Sequence, residues 1–278
     1  MAGADLTHAD WLRTVPDLVA ACCDEWGLRL GEPYEAGAVG YTVRAELPDG
    51  TPAVLKLIWP HRESEHEGDA LRVWDGDGAV RLLAEDPARH ALLLERCEPG
   101  TKLYEAGADV ALDVLAGLLP RLWKPAGEPF HKLVDEAAWW RSYLPEQWER
   151  VPQLERRLLD AALEALDTLP PTQGEQVLVS QDLHAENVLA AQREPWLAID
   201  PKPLVGEREF ALAPIVRAFE LGHSRRAVLH RLDRLTSELG LDRERARRWT
   251  IAQTLAWSFD PDWHAAHVET VRWLVEAA

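Results

Sequence analysis

The sequence is poor in cysteine, in basic charge and in long apolar runs, and each shortage removes a class of protein. Its three cysteines, Cys22, Cys23 and Cys97, are an odd number with no metal-type spacing. Neither a disulfide framework nor a zinc cage is expected, which suits a reducing cytoplasm. Lys and Arg total 30 against 47 Asp and Glu, giving a formal charge of −17. That field repels nucleic acid and anionic membranes and draws in cations, so the expected partner is a cationic small molecule. No apolar run is long enough to span a bilayer, and MAGADLTHADWLRTV (1–15) lacks the basic start and apolar stretch of a signal peptide. Internal repeats, low-complexity tracts, G-x-S-x-G and H-E-x-x-H are all missing, which excludes solenoids, extensive disorder, the hydrolase elbow and zinc proteases of that motif.

What is present is a chain of 278 residues with 47% hydrophobic content, enough for one large domain or two smaller ones. Residues 10–26 repeat apolar side chains at helical spacing. AVGYTVRAEL (38–47) and TPAVLKLIW (51–59), joined through PDG, predict a β-hairpin, because Asp-Gly favours positive φ at the turn. A helical pattern over 61–74 and strand patterns over 78–86 and 90–97 follow, and the Pro-Gly break in EPGTKL (98–103) marks a boundary. Beyond it, helices are predicted over 111–123, 136–148 and 154–169, the last stopped by Pro170-Pro171. Short strands at 176–180, 187–191 and 196–200 then interrupt the helices, which resume from about Ala213; Gly240 closes one and Asp242 caps the next. The expected plan is α+β in two lobes: a small β-rich lobe over 1–97, and a larger, mainly helical lobe over 98–278.

The chemistry concentrates in SQDLHAEN (180–187) and WLAIDPKP (196–203). Asp182 and Asn187 bracket a polar loop between apolar runs, and Asp200 ends the next apolar run. Carboxylates and an amide gathered in this way are costly to bury without a cation. A carboxylate to accept a hydroxyl proton, with an amide oxygen and a second carboxylate for Mg²⁺, are the parts that phosphoryl transfer from ATP requires. The D-x-x-x-x-N spacing followed by a strand-terminal Asp matches a kinase catalytic loop and metal loop, although Asp200-Pro201-Lys202 replaces D-F-G and no A-P-E follows. Such a kinase needs a lysine for the α/β phosphates, and Lys56 lies inside an apolar strand. It needs a helical glutamate to pair with that lysine; Glu63 and Glu67 sit four apart in HRESEHEGDAL, hence on one helix face, and Glu67 is favoured with Glu63 close behind. Nucleotide contacts are expected from Gly37 and Gly40 in an incomplete glycine loop, and from the backbone of the hinge at Glu95 and Cys97, which can hydrogen-bond adenine.

The run 181–210, together with AVLKL (53–57), WDGDGAVRLL (74–83) and ALLLERCEPGTKL (91–103), resembles the aminoglycoside phosphotransferases, specifically the group of streptomycin 6-phosphotransferase and hydroxyurea phosphotransferase. The resemblance covers roughly residues 35 to 260. It implies a protein-kinase-like fold and transfer of the ATP γ-phosphate to a hydroxyl of an aminoglycoside or another small molecule, conferring resistance. Asp182 would be the catalytic base, Asn187 and Asp200 the metal ligands, and Lys56 the phosphate anchor. Two departures stand out: Ser180-Gln181 where the family has His-Gly, and Ala211 where it has an Asp that buttresses the loop. The contrary expectation is a nucleotide-binding pseudokinase. Glu207, Glu220, Asp260 and Trp257 are candidates for the acceptor site, with carboxylates to meet amino or guanidino groups. A monomer or weak dimer is expected.

Overall fold

The computed structural model describes residues 7–34, 40–151, 154–259 and 264–277. The chain divides into two compact units, Met1–Gly100 with Ala190–Leu197 and Thr101–Leu189 with Ala198–Ala278.

The first unit begins with α1 (His8–Trp26), capped by the Thr7 hydroxyl, which accepts the Asp10 N–H at 3.1 Å, and closed by Gly27 at φ +66°. Strands β1 (Arg29–Pro33), β2 (Gly40–Glu46), β3 (Pro52–Ile58), β4 (Leu82–Asp86) and β5 (Ala91–Glu95) form an antiparallel sheet in the order β1-β2-β3-β5-β4. The predicted hairpin turn is present, with Gly50 at φ +88°. Alternation along β3 sends Ala53, Leu55 and Leu57 into a core shared with Trp11, Val15 and Cys22 of α1, and leaves Lys56 on the other face.

The helical pattern over 61–74 breaks in two. A 3₁₀ turn at Arg62–Ser64 is separated from α2 (Glu67–Trp74) by His66 at φ +67°, a left-handed conformation that no helix interior tolerates. Glu63 and Glu67 therefore do not share one helix face, which corrects the spacing argument made for them.

The second unit contains α3 (Ala108–Leu122), α4 (Leu133–Arg150), α5 (Arg156–Thr168), β6 (Gln176–Ser180), β7 (Val188–Ala190), β8 (Trp196–Ala198), β9 (Pro203–Glu207), α6 (Ala213–Arg217), α7 (Arg225–Leu239), α8 (Arg243–Ala256) and α9 (His264–Val275), the tip of the β7–β8 hairpin belonging to the first unit. Strand β9, which the sequence pattern did not separate from the metal segment, pairs antiparallel with β6 from Gln176↔Glu207 to Ser180↔Pro203. Gly206 sits against Leu133, whose Cβ would lie 2.7 Å from an added methyl, so this strand approaches α4 as only glycine allows. Behind the ladder, Phe210 lies edge-on to Trp249 and tilted against Trp140, all three buried. Gly240 and Asp242 end α7 and cap α8 as predicted.

The boundary differs from a single cut at 97/98. The first unit extends to Gly100 and takes back residues 190–197, because Arg193 on that hairpin tip bonds Glu95 and the carbonyls of Gly76 and Ala79.

Candidate active site

In the first unit, Lys56 points from the middle of β3 to the first residue of α2. Its Nζ donates to both carboxylate oxygens of Glu67 at 2.7 Å, with 13% and 2% of the two side chains exposed. A buried ammonium is tolerable only with such a partner. Of the two candidate glutamates, Glu67 holds the lysine. Gly40 opens β2 beside the Leu57 carbonyl, which would lie 3.1 Å from a side-chain carbon there; Gly37 is outside the described residues.

Glu95 ends β5 with its side chain engaged. Its carboxylate accepts two N–H groups of Arg193, at 2.8 and 2.9 Å, and the Arg81 N–H at 3.0 Å. Burial raises its pKa, but these bonds outweigh burial and hold it below the usual carboxylate range. Its side chain is a clamp for the strand end; the nucleotide contact expected at this hinge is one of the backbone. Burial pushes the Cys97 thiol up to about 12, so it is an apolar wall and no nucleophile.

In the second unit, the β6–β9 ladder runs on past its last pair. The Gln181 N–H donates to the Lys202 carbonyl at 2.9 Å, and the Ser180 hydroxyl accepts the N–H groups of Asp182 and Lys202 at 3.4 and 3.3 Å. Ser180 thus ties the loop at 181–187 to the segment after Asp200, a use for the residue that departs from the family pattern. Asn187 donates its side-chain N–H to the Asp182 carbonyl at 2.9 Å, and its own carbonyl accepts the Ile199 N–H at 2.9 Å. Asp182, Asn187 and the approach to Asp200 are therefore one hydrogen-bonded assembly. Asp200 itself is held at φ +50°. A non-glycine residue in the left-handed region is uncommon and marks sites where side-chain direction matters.

The donor set suits a hard cation. With its amide nitrogen committed to the Asp182 carbonyl, Asn187 keeps its amide oxygen as an atom that could meet a metal, and Asp200 could add a carboxylate. One amide oxygen and one carboxylate, completed by phosphate and water, is a Mg²⁺ set.

The Asp182 carboxylate is met by cations. Lys202 Nζ donates to Oδ2 at 2.7 Å, Arg217 Nη2 to Oδ1 at 3.4 Å, and His184 Nε2 is 3.9 Å from Oδ1. The Trp257 ring carries both cations, with the Arg217 Cζ at 4.2 Å and the Lys202 Nζ at 5.1 Å from its centroid. His184 Nδ1–H donates to Glu220 at 2.9 Å, and the Ala185 N–H reaches the same oxygen at 3.1 Å. Burial disfavours the imidazolium, but the Glu220 bond and the Asp182 charge outweigh it and raise its pKa. Glu220 is correspondingly lowered against burial, chiefly by that bond to His184.

The acceptor-site expectations fare differently. Glu207 is a correction: 1% exposed, its carboxylate accepts Arg245 at 2.8 Å, the Gly174 N–H at 3.1 Å and the Trp249 indole N–H, so it anchors β9 to α8. Glu220 is a second: it is spent on His184 and Ala185 and braces the loop. Trp257 is a platform for Arg217 and Lys202, and Asp260 lies outside the described residues.

Three residues that sequence reasoning missed complete the site. Gln253, buried in α8, donates to the Gln181 carbonyl at 2.8 Å and braces the loop that Ala211, a buried methyl, cannot reach with a polar atom. Its signal was an amide within the otherwise small and apolar run IAQTLA (251–256). Arg217 ends α6, and buried Arg231 fixes the following turn by donating to the carbonyls of Val216, Leu221 and Gly222; burial lowers the Arg231 pKa to about 10.

Comparison with known proteins gives the family and the fold. The family described as "Aminoglycoside/hydroxyurea antibiotic resistance kinase" matches residues 35–259. A hydroxyurea phosphotransferase of Kitasatospora aureofaciens is 42% identical over 252 residues, 88% of this chain and 73% of that protein. A streptomycin 6-kinase of Streptomyces griseus is 41% identical over 253 residues, 88% of this chain and 82% of that one. Among solved structures, an aminoglycoside phosphotransferase in ternary complex with ADP and hygromycin B matches with a TM-score of 0.65 at 12% identity, covering 93% of this chain and 98% of that chain, which shows the protein-kinase-like fold.

Proposed function

Because the chain belongs to the aminoglycoside/hydroxyurea antibiotic resistance kinase family, we propose that it transfers the γ-phosphate of ATP to a hydroxyl of a streptomycin-like aminoglycoside and thereby inactivates the antibiotic. Hydroxyurea is the second candidate acceptor, favoured by the 42% identical relative. The observation that carries the proposal is the hydrogen-bonded assembly of Asp182 and Asn187 with the strand leading to Asp200. A pseudokinase would be expected to have lost at least one of Lys56, Asp182, Asn187 and Asp200, and all four are present.

In this proposal Asp182 orients the acceptor hydroxyl and takes its proton, while Lys56, aligned by Glu67, holds the α/β phosphates. Asn187 and Asp200 would hold Mg²⁺, which supplies neutralisation of phosphate charge when bound. Positioning and charge stabilisation account for most of the acceleration in such a reaction. ATP dependence suits a cytoplasmic enzyme, and among the described residues no helix is long and apolar enough to cross a membrane.

The test is acceptor-dependent ATP consumption. Streptomycin or hydroxyurea should raise ADP release well above the rate without acceptor. A rate unchanged by both compounds, and by a wider panel of aminoglycosides, would contradict the proposal.

A further inference from the structure

We propose that Lys202 is a catalytic residue of this transfer: the cation that neutralises Asp182 before the reaction and turns to the transferred phosphoryl group as Asp182 takes the acceptor's proton. The inference rests on the kinase function proposed above and assigns a task to the lysine that stands in place of D-F-G.

The geometry separates Lys202 from an ordinary structural counter-ion. Its backbone is pinned on both sides: the N–H to the Ser180 hydroxyl, the carbonyl to the Gln181 N–H. Pro201 and Pro203 flank it, each with φ fixed by its ring. The backbone is therefore held, while the four-carbon stem is intrinsically flexible. That stem leaves the chain two residues after Asp200, on the side of the loop assigned to the metal, and ends 2.7 Å from Asp182 Oδ2. Arg217 faces the other oxygen from a segment fixed by Arg231, stacks closer to Trp257 and is 5% exposed. Arg217 suits a static brace. Lys202, on the more flexible stem and with 17% of its side chain exposed against 6% for Arg217, is the cation of the two with the greater scope for mobility.

The charge balance of the reaction gives that mobility a use. The acceptor oxygen bonds to the γ-phosphorus, the bond from that phosphorus to the β–γ bridging oxygen breaks, and ADP leaves with the bonding pair. The acceptor's proton goes to Asp182, which becomes neutral. The Asp182–Lys202 ion pair weakens in the step that brings the phosphoryl oxygens beside the acceptor oxygen, itself in hydrogen-bond reach of Asp182. An ammonium exchanging one anion for another in a protected site stabilises the transition state more than the ground state, which is what raises kcat.

The experiment compares wild type with Lys202→Met and Lys202→Cys. Each variant should lose about 10²–10³-fold in kcat, the usual cost of removing one preorganised electrostatic group, with the KM for ATP changed less than about threefold. Calorimetry supplies a readout apart from turnover: aluminium fluoride should tighten magnesium-ADP binding in wild type and not in Lys202→Met. Alkylating Lys202→Cys with 2-bromoethylamine, which restores an ammonium, should recover activity at least tenfold, wild type treated in parallel serving as the control. The recovery also guards against a misfolded methionine variant. An active wild type with kcat within about threefold in both variants, or aluminium fluoride tightening retained in Lys202→Met, overturns this inference alone. A wild type that phosphorylates no acceptor overturns the kinase function and this inference with it.

Discussion

The two lysines bound to carboxylates, Lys56 with Glu67 and Lys202 with Asp182, look alike as ion pairs and differ in construction. The first is closed in that both oxygens of one carboxylate meet one ammonium, in a place where strand alternation and a helix start present the two side chains. The second is open: one carboxylate faces two cations and an imidazole that come from separate stretches of chain, at 184, 202 and 217. A closed pair is a fixed tool, suited to holding the α/β phosphates in one place. An open one can redistribute its partners as a proton arrives.

The largest expected effect comes from breaking the closed pair. Lys56→Met leaves Glu67 buried without its ammonium and should cost about 3–5 kcal/mol of stability, read by denaturant unfolding, with the KM for ATP raised at least tenfold in whatever folds. Glu207→Gln tests the corrected role of that residue. Removing a buried charge from Arg245 should lower stability by a few kcal/mol, about 3 by analogy with other broken buried pairs, while the ratio of kcat/KM between acceptors stays unchanged. A selective loss for cationic acceptors would instead return Glu207 to the acceptor site.

Gln253→Ala releases the Gln181 carbonyl and should lower kcat about tenfold, with stability down by about 1–3 kcal/mol for the unsatisfied buried group. Gln253→Glu, which cannot donate when ionised, should behave similarly. Smallest is the pH effect of the His184–Glu220 pair. The raised His184 pKa contributes stability that is fully present below its ordinary value of 6.5 and is lost as pH rises through the folded value. The lowered Glu220 pKa contributes stability present above 4.5 and lost as pH falls through its folded value. The melting-temperature gap between wild type and Glu220→Gln should therefore be widest between pH 4.5 and 6.5 and shrink on the alkaline side. A gap that does not vary with pH would mean that the pair adds no protonation-linked stability.

The same contrast explains what could be read from the chain alone. Lys56 and Glu67 were legible because a charged residue inside TPAVLKLIW breaks a local pattern, and local patterns are what sequence displays. Asp182, Asn187 and Asp200 were legible by spacing. Strand β1 was missed because RLGEP is exposed along its whole length and is a strand only by pairing with β2. Strand β9 was hidden by the prolines around it. Glu63 and Glu67 looked like neighbours on one helix because nothing in HRESEHEGDAL announces a left-handed His66. Arg217 and Gln253 had only faint signals, since each acts on the loop from a helix more than thirty residues away in the chain. The candidates Glu207 and Glu220 failed for a related reason: acidity is visible in sequence, but the arginine, indole and imidazole that consume it are contributed by other elements.

The most direct test of the central claim, that Asp182 serves as the base of an ATP-dependent transfer, is movement of radiolabel from γ-³²P-ATP to streptomycin or hydroxyurea by wild type and by Asp182→Asn. The account predicts a labelled acceptor with wild type and a rate lower by about 10²–10⁴-fold in the variant, with nucleotide affinity retained. Equal labelling by the two proteins would contradict it.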